Sequence, residues 1–421
     1  MSDLTPLQAL TTFRNMLSPG PRLYVAGGSG EPRIIADAFR TKPDLARHIT
    51  FLGAWIPGIN TVDWASLAPD ASMETIFMSD AFRTSFDAGK AALLPLSYTR
   101  AWSWLQQTPI DGAIIMVSPP DADGQLSLGV SVDFSEAILN RPDIPVFGLI
   151  NHNMPRPVDA PSFPLSRFAI TAETATPLIE LQTAALSPAL RDIAVHIAGQ
   201  ISNGDTLQFG LGNVQQAVLA QLYSHRKLRI HSGMVSDPLL NLLDAGSISA
   251  DRGSVVTGVA LGSQQLYHRV SSDDRFQFRS VPYTHGFRTL SALPNLRAIN
   301  SAVEIDLFGQ ANAEFINGQQ ISGTGGLSDF MRGAAHAPAG RSIIALSATT
   351  QKGEVSRIIP RLNTNIATIS RADADTVITE FGIANLKYKS IDERATALIN
   401  IAAPEFHNHL SDEWDAIRGT M

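Results

Sequence analysis

Short apolar runs alternate along the chain with stretches whose apolar residues fall at helical spacing, the pattern of parallel α/β folds. The clearest helix is predicted from Ser187. That residue can cap it, Pro188 takes the first position, and Leu190, Ile193, Ala194, Ile197, Ala198 and Ile201 share one face. Asn203-Gly204-Asp205 stops it. A strand is expected at Thr206–Phe209, then Gly210-Leu211-Gly212, then a second helix carrying Val214, Val218, Leu219 and Leu222. Leu228–Ser232, Arg341–Leu346 and Thr376–Thr379 read as further strands.

The front of the chain repeats this design. Leu23–Ala26 is a strand running through Gly27, Gly28 and Gly30 into a helix that turns Ile34, Ile35, Ala38 and Phe39 inward. A second echo is the pattern Asp-x-x-Gly-Gln, at Asp121–Gln125 and again at Asp306–Gln310, each time after an apolar stretch. Two echoes in one order imply a duplicated α/β unit. The expectation is two similar open domains with mostly parallel sheets, spanning 1–186 and 187–421, with a boundary near Leu186–Pro188.

Composition narrows the function classes. A chain of 421 residues suits two domains, and 44% hydrophobic with 17% charged residues is an ordinary globular balance. The formal net charge of −7 argues against a nucleic-acid partner, which requires a clustered basic face. There is no cysteine, so disulfides, thiolate nucleophiles and thiolate zinc sites are excluded together. The first residues lack the pattern of a signal peptide, and the longest apolar run, Ala113–Val117, has the length of a buried strand and not of a membrane span. A cytoplasmic protein without a membrane partner is expected. The histidines show no metal-ligand spacing, so no metal is expected.

Several segments carry candidate chemistry. Strand-to-glycine-to-helix turns expose backbone N–H groups that can hold an anion or a developing oxyanion. Gly210, Gly212, Asn213 and Val214 form one such turn, but Gln215 stands where a dinucleotide fingerprint needs its third glycine. Arg33 breaks the fingerprint in the same way after Gly28-Ser29-Gly30. A purely structural turn is the alternative. The stretch Ser322–Gly333 is the most glycine-dense, and Gly323, Gly325 and Gly326 let a ligand approach the backbone closely. Arg332 can reach a phosphate from there; a surface loop is the alternative. Glu304 and Asp306 alternate with apolar residues, so on a strand both face one side, and Glu380 ends a strand. His231 and Ser232 are neighbours on a strand and point to opposite faces, which speaks against a Ser-His dyad.

Taken in order, these segments resemble the acetyl-CoA hydrolase/transferase family, which includes 4-hydroxybutyrate CoA-transferases. The likeness runs through VSPPDADG at 117–124, LSLGVSVD at 126–133, NMPR at 153–156, GLGNVQQAVL at 210–219, LGSQQLY at 261–267, NSAVEIDLFGQ at 300–310, ISGTGGLSDFMRGA at 321–334 and ITEFGIANLKYKS at 378–390. It implies the family I CoA-transferase fold, with an active site between its two domains, acyl-CoA and a small carboxylate as substrates, no tightly bound cofactor, and a homodimer or higher homo-oligomer. It also implies a covalent route. A glutamate attacks the thioester, and CoA is carried as a glutamyl thioester before an acceptor carboxylate takes it. Backbone N–H groups around Val214 and Gly325 or Gly326 are similar to the family's oxyanion hole. The loop continuing to Arg332 looks like the wall of its CoA channel.

One position departs. The family pattern is similar to H-[ST]-E-M-x-[ST]-D, and this chain reads His231-Ser232-Gly233-Met234-Val235-Ser236-Asp237. Gly233 stands where the nucleophilic glutamate is expected. Three readings follow: another carboxylate (Glu304, Glu380 or Asp237) stands in; the vacated space holds water and the oxyanion hole promotes hydrolysis or another reaction of the thioester; or the chain is a silent acyl-CoA binder or the subunit of something larger.

Overall fold

The computed structural model describes residues 4–181, 187–210, 212–350, 353–363 and 366–421; Leu186 and Leu211 lie outside the described residues. By packing, the chain divides into two units whose sequences interleave. The first is Met1–Gln182 with Val235–Asp237 and Val255–Thr284, and the second is Thr183–Met234, Pro238–Ser254 and His285–Met421. A single boundary near 186 does not describe that interleaving.

The first unit is built on a sheet of seven strands. They are β1 (Arg22–Val25), β2 (Thr50–Gly53), β3 (Ser72–Thr75), β4 (Ala91–Leu93), β5 (Gly112–Val117), β6 (Val146–Asn151) and β7 (Ile170–Thr174). Their spatial order is β4-β3-β2-β1-β5-β6-β7, and every pairing is parallel. Strands covered on both faces must be apolar throughout, and every residue of β5 and β6 is buried. Aromatic rings close the core on one side, where Phe51 packs edge-on to Phe39 at 5.6 Å and Trp55 stacks on Trp64 at 6.1 Å.

The second unit repeats the plan. Strands β8 (Thr206–Phe209), β9 (Arg229–His231), β10 (Leu296–Ser301), β11 (Arg341–Ala345), β12 (Thr376–Thr379) and β13 (Gly382–Asn385) run β9-β8-β10-β11-β12-β13. All of these pairings are parallel except the closing β12–β13 hairpin. The first strand of each unit, β1 or β8, lies between its two parallel neighbours. The chain order therefore reverses beside it, and such switch points are where open α/β sheets place ligands, beyond the carboxyl ends of the strands.

The helices follow the predicted faces. Helix α1 (Pro188–Ala198) opens on Ser187, whose side chain accepts the N–H of Leu190, and it buries Ile193, Ala194 and Ile197. The Asp-x-x-Gly-Gln echo is a real repeat of structure. Asp121 Oδ1 accepts the N–H groups of Asp123 and Gln125 at 3.0 and 2.8 Å, and Asp306 Oδ1 those of Phe308 and Gln310 at 3.1 and 2.9 Å. Gly124 and Gly309 take positive φ at the same step, +71° and +90°. The two turns follow β5 and β10, which hold equivalent places in the two sheets. Their surroundings differ: the exposed Asp121 carboxylate, bonded to backbone N–H groups and paired with Arg156, is held below the usual range, while burial raises Asp306.

Candidate active site

Three segments of the second unit converge at the carboxyl ends of β8, β9 and β10. The first is the glycine turn after β8. Gly212 adopts φ +120° and ψ −167° and caps α2 (Asn213–Leu219). That backbone region is essentially closed to residues with a side chain, which explains the glycine. Asn213 is exposed at the first helical position and Val214 is half-buried beside it. Helix α2 ends at Leu219, a turn before the predicted Leu222, which is buried beyond it.

Beneath the turn, Gln208 of β8 and Asn300 of β10 are buried and exchange side-chain hydrogen bonds of 3.2 and 2.8 Å. A reciprocal amide pair satisfies two polar groups that would be costly if unpaired. Asn300 Nδ2 also lies 3.6 Å from the sulfur of Met331. A methyl group on Gly210 would stand 3.0 Å from Asn300 Oδ1, so Gly210 lets the turn sit directly on this pair.

The second segment is the end of β9. His231 and Ser232 are both buried, and the Ser232 hydroxyl donates to the carbonyl of Phe209 at 3.1 Å. Ser232 thus ties β9 to the glycine turn. Gly233 follows. The point where a side chain on Gly233 would begin is 2.8 Å from both Cε1 and Nε2 of His285 and 3.8 Å from the ring of Phe330. The His285 imidazole therefore lies directly where a side chain on Gly233 would begin.

The third segment is the glycine loop and the helix that follows, α3 (Leu327–His336), capped by Gly326. Gly325 takes φ +55°. A side chain on Gly326 would collide with Nε2 and Cδ2 of His285. Glu314, buried, anchors the loop: its carboxylate accepts from the Thr324 hydroxyl at 3.2 Å and from Gln320 Nε2 at 3.1 Å. Glu314 is reached in turn from Asn312, whose side chain accepts the N–H of Glu314 at 2.9 Å and donates to Glu304 at 3.0 Å. Glu304 therefore supports the frame of the loop.

The remaining expected residues have defined places. Glu380 Oε2 accepts the N–H of Ala348 at 2.8 Å, a tie between the ends of neighbouring strands. Asp237 accepts the backbone N–H and the hydroxyl of Ser263, each at 3.0 Å. Gly323 lies half-buried in the loop. Arg332 is exposed on α3, its Nε 3.9 Å from Asp373.

His285 was not among the residues singled out by sequence. Its position follows from a row of contacts on one face of α3, at the spacing of successive turns. The His285 ring packs on Phe330 with centroids 4.5 Å apart, Leu290 lies where a side chain on Gly333 would be, and Phe287 meets His336 edge-on at 5.4 Å. His285 is 2% exposed. Burial, reinforced by nearby His231, lowers its pKa to about 3, so the imidazole is neutral through the physiological range.

Comparison with known proteins identifies the family. Residues 10–160 match the acetyl-CoA hydrolase/transferase N-terminal domain and residues 262–414 the acetyl-CoA hydrolase/transferase C-terminal domain. The chain is 37% identical over 347 residues to a 4-hydroxybutyrate coenzyme A transferase of Clostridium kluyveri, covering 80% of this chain and 81% of that one. It is 35% identical over 316 residues to the butyryl-CoA:acetate CoA-transferase of Anaerostipes caccae, covering 72% and 71%. The crystal structure of RipA from Yersinia pestis superposes with a TM-score of 0.89 at 28% identity, covering 99% of this chain and 97% of that one. Both domains, the mostly parallel sheets and the ordered motifs agree: this chain belongs to the acetyl-CoA hydrolase/transferase family.

Proposed function

We propose that the protein moves coenzyme A between an acyl-CoA and a small carboxylate such as acetate, without a glutamyl-CoA at position 233. Both family domains are present in order, while the position that resembles the family nucleophile is a glycine with no side chain to acylate. That combination carries the reading. Acyl-CoA is a substrate here and not a resident cofactor. A homodimer or higher homo-oligomer in the cytoplasm suits the family likeness, and no helix among the described residues is long and apolar enough to cross a membrane.

The chemistry left to the site is electrostatic. A thioester carbonyl develops negative charge on oxygen when it is attacked, and backbone N–H groups stabilise that charge without having to reorganise. In this reading the N–H groups near Val214 and of Gly325 or Gly326 supply the oxyanion hole. Gly212 and Gly325 allow the backbone to present them. Gly210 and Gly323 let the ligand come close, and Arg332, exposed on α3 beyond the loop, meets a CoA phosphate as a charged donor.

In this reading transfer is preferred to hydrolysis: the His285 ring lies against Gly233, and a ring there keeps an attacking water from the thioester. The test is to mix purified protein with butyryl-CoA, with and without acetate, and to follow CoA species by chromatography. Formation of acetyl-CoA is expected only when acetate is present. Free CoA at an equal rate without acetate would make the protein a hydrolase, and saturable binding with no turnover would make it an acyl-CoA binder.

A further inference from the structure

The family resemblance leaves a gap at Gly233, and the structure fills it. His285 is in contact distance of both Gly233 and Gly326, the two points where the oxyanion loop and the nucleophile segment come together. Its ring packs on Phe330, and the residues that follow it dock along the same face of α3, Leu290 against Gly333 and Phe287 against His336. The carboxylates considered as stand-ins are engaged elsewhere: Glu304 with Asn312, Glu380 with the N–H of Ala348, and Asp237 with Ser263.

We infer that His285 has taken over the volume of the missing carboxylate and acts as a positioning residue, so that CoA passes directly between two carboxylic acids bound together, with no bond to the enzyme. This rests on the transferase reading above and deepens it. The acceptor carboxylate oxygen attacks the thioester carbon, the C–S bond breaks, and CoA leaves as thiolate from a mixed anhydride of the two acids. The thiolate then attacks the acceptor's carbonyl in that anhydride, the C–O bond breaks, and the donor departs as carboxylate. No proton and no outside reagent enters the balance. A neutral imidazole suits this role: it fills the space and excludes water without adding a charge beside two anions.

The kinetic order of the reaction tests this. With butyryl-CoA and acetate varied together, double-reciprocal plots for the wild-type protein are expected to intersect, as required when both substrates must be bound at once. Parallel lines would show an enzyme-linked intermediate and overturn the inference while leaving the transferase reading intact. Absence of any transfer by folded protein would overturn both. His285→Ala should raise the ratio of free CoA released to acetyl-CoA formed at least tenfold, because water gains access to the place the ring held; an unchanged ratio in a folded variant would contradict the role. Packing is tested separately by a double-mutant cycle. Gly233→Ala should lower Tm by several degrees in the wild-type background and by less than half as much beside His285→Ala, whereas equal losses in both backgrounds would show that the ring does not occupy the place of a side chain at 233.

Discussion

Gln208 and Asn300 exchange two side-chain hydrogen bonds between neighbouring strands directly beneath the glycine turn. The pair joins the turn at Gly210, the segment that follows β10 and, through Met331, the helix that follows the glycine loop. Removing one partner strands the other amide in a buried place. Asn300→Ala is expected to cost about 1–3 kcal/mol, the usual penalty for an orphaned buried polar group. Urea unfolding measures it, and a loss below about 0.5 kcal/mol, the ordinary range for surface changes, would mean that the pair does not hold the site together.

Gly212 separates backbone geometry from packing. A methyl group there would touch nothing within 4 Å, yet φ of +120° is barred to residues with a side chain. Gly212→Val is expected to cost about 1–3 kcal/mol of backbone strain. Relaxing that strain should move the N–H groups at the start of α2, the oxyanion donors proposed above, out of place. CoA transfer should therefore fall at least a hundredfold, in line with the loss of an oxyanion donor, in protein that still unfolds cooperatively. Full activity in the variant would remove this turn from the mechanism.

His285 gives stability a pH dependence of known sign. Its pKa is lowered from 6.5 to about 3. Below about pH 6.5 the unfolded chain takes up a proton that the folded chain refuses, so stability falls as pH drops towards 3. The slope is at most about 1.4 kcal/mol per pH unit for one such group. Between pH 7 and 5 wild-type protein should lose more stability than His285→Gln. Equal losses would mean that the ring is protonated in the folded state.

Asp133 acts in the opposite direction. It takes φ of +26°, its Oδ1 is buried without a hydrogen-bond partner among the described residues, and it lines a small cavity with Tyr24, Ser131 and Ser135. Burial raises its pKa to about 8. The folded state therefore holds a proton that the unfolded state gives up above about pH 4, and stability falls as pH rises from there to 8. Asp133→Asn keeps the shape, tolerates a positive φ and removes the ionisation. It should be more stable than wild type at pH 8 and close to it at pH 4. A variant no more stable at pH 8 would place an ionised Asp133 in the folded protein.

Much of the frame was legible in the residues because local rules decide it. Ser187 before Pro188 announces a capped helix, the apolar run 113–117 announces a buried parallel strand, and the turns at Asp121 and Asp306 announce a repeat that recurs bond for bond. The occupant of the empty position was not legible. His285 sits in Tyr-Thr-His-Gly-Phe, a stretch with no periodicity and no motif, and only folding brings it against Gly233 and Gly326. Glu314 escaped notice for the same reason, since its role lies in which loop residues its carboxylate reaches. The interleaved packing of 235–237 and 255–284 with the N-terminal unit likewise has no local signature, because it is decided by contacts far apart in sequence.

The most direct test of the account asks what is attached to the protein while it works. Wild-type protein turning over butyryl-CoA and acetate is quenched rapidly in acid and weighed intact by mass spectrometry. The expected result is the mass of the unmodified chain at every time point while acetyl-CoA accumulates. A fraction of the protein carrying the added mass of CoA or of the acyl group, formed and lost at the rate of turnover, would contradict it.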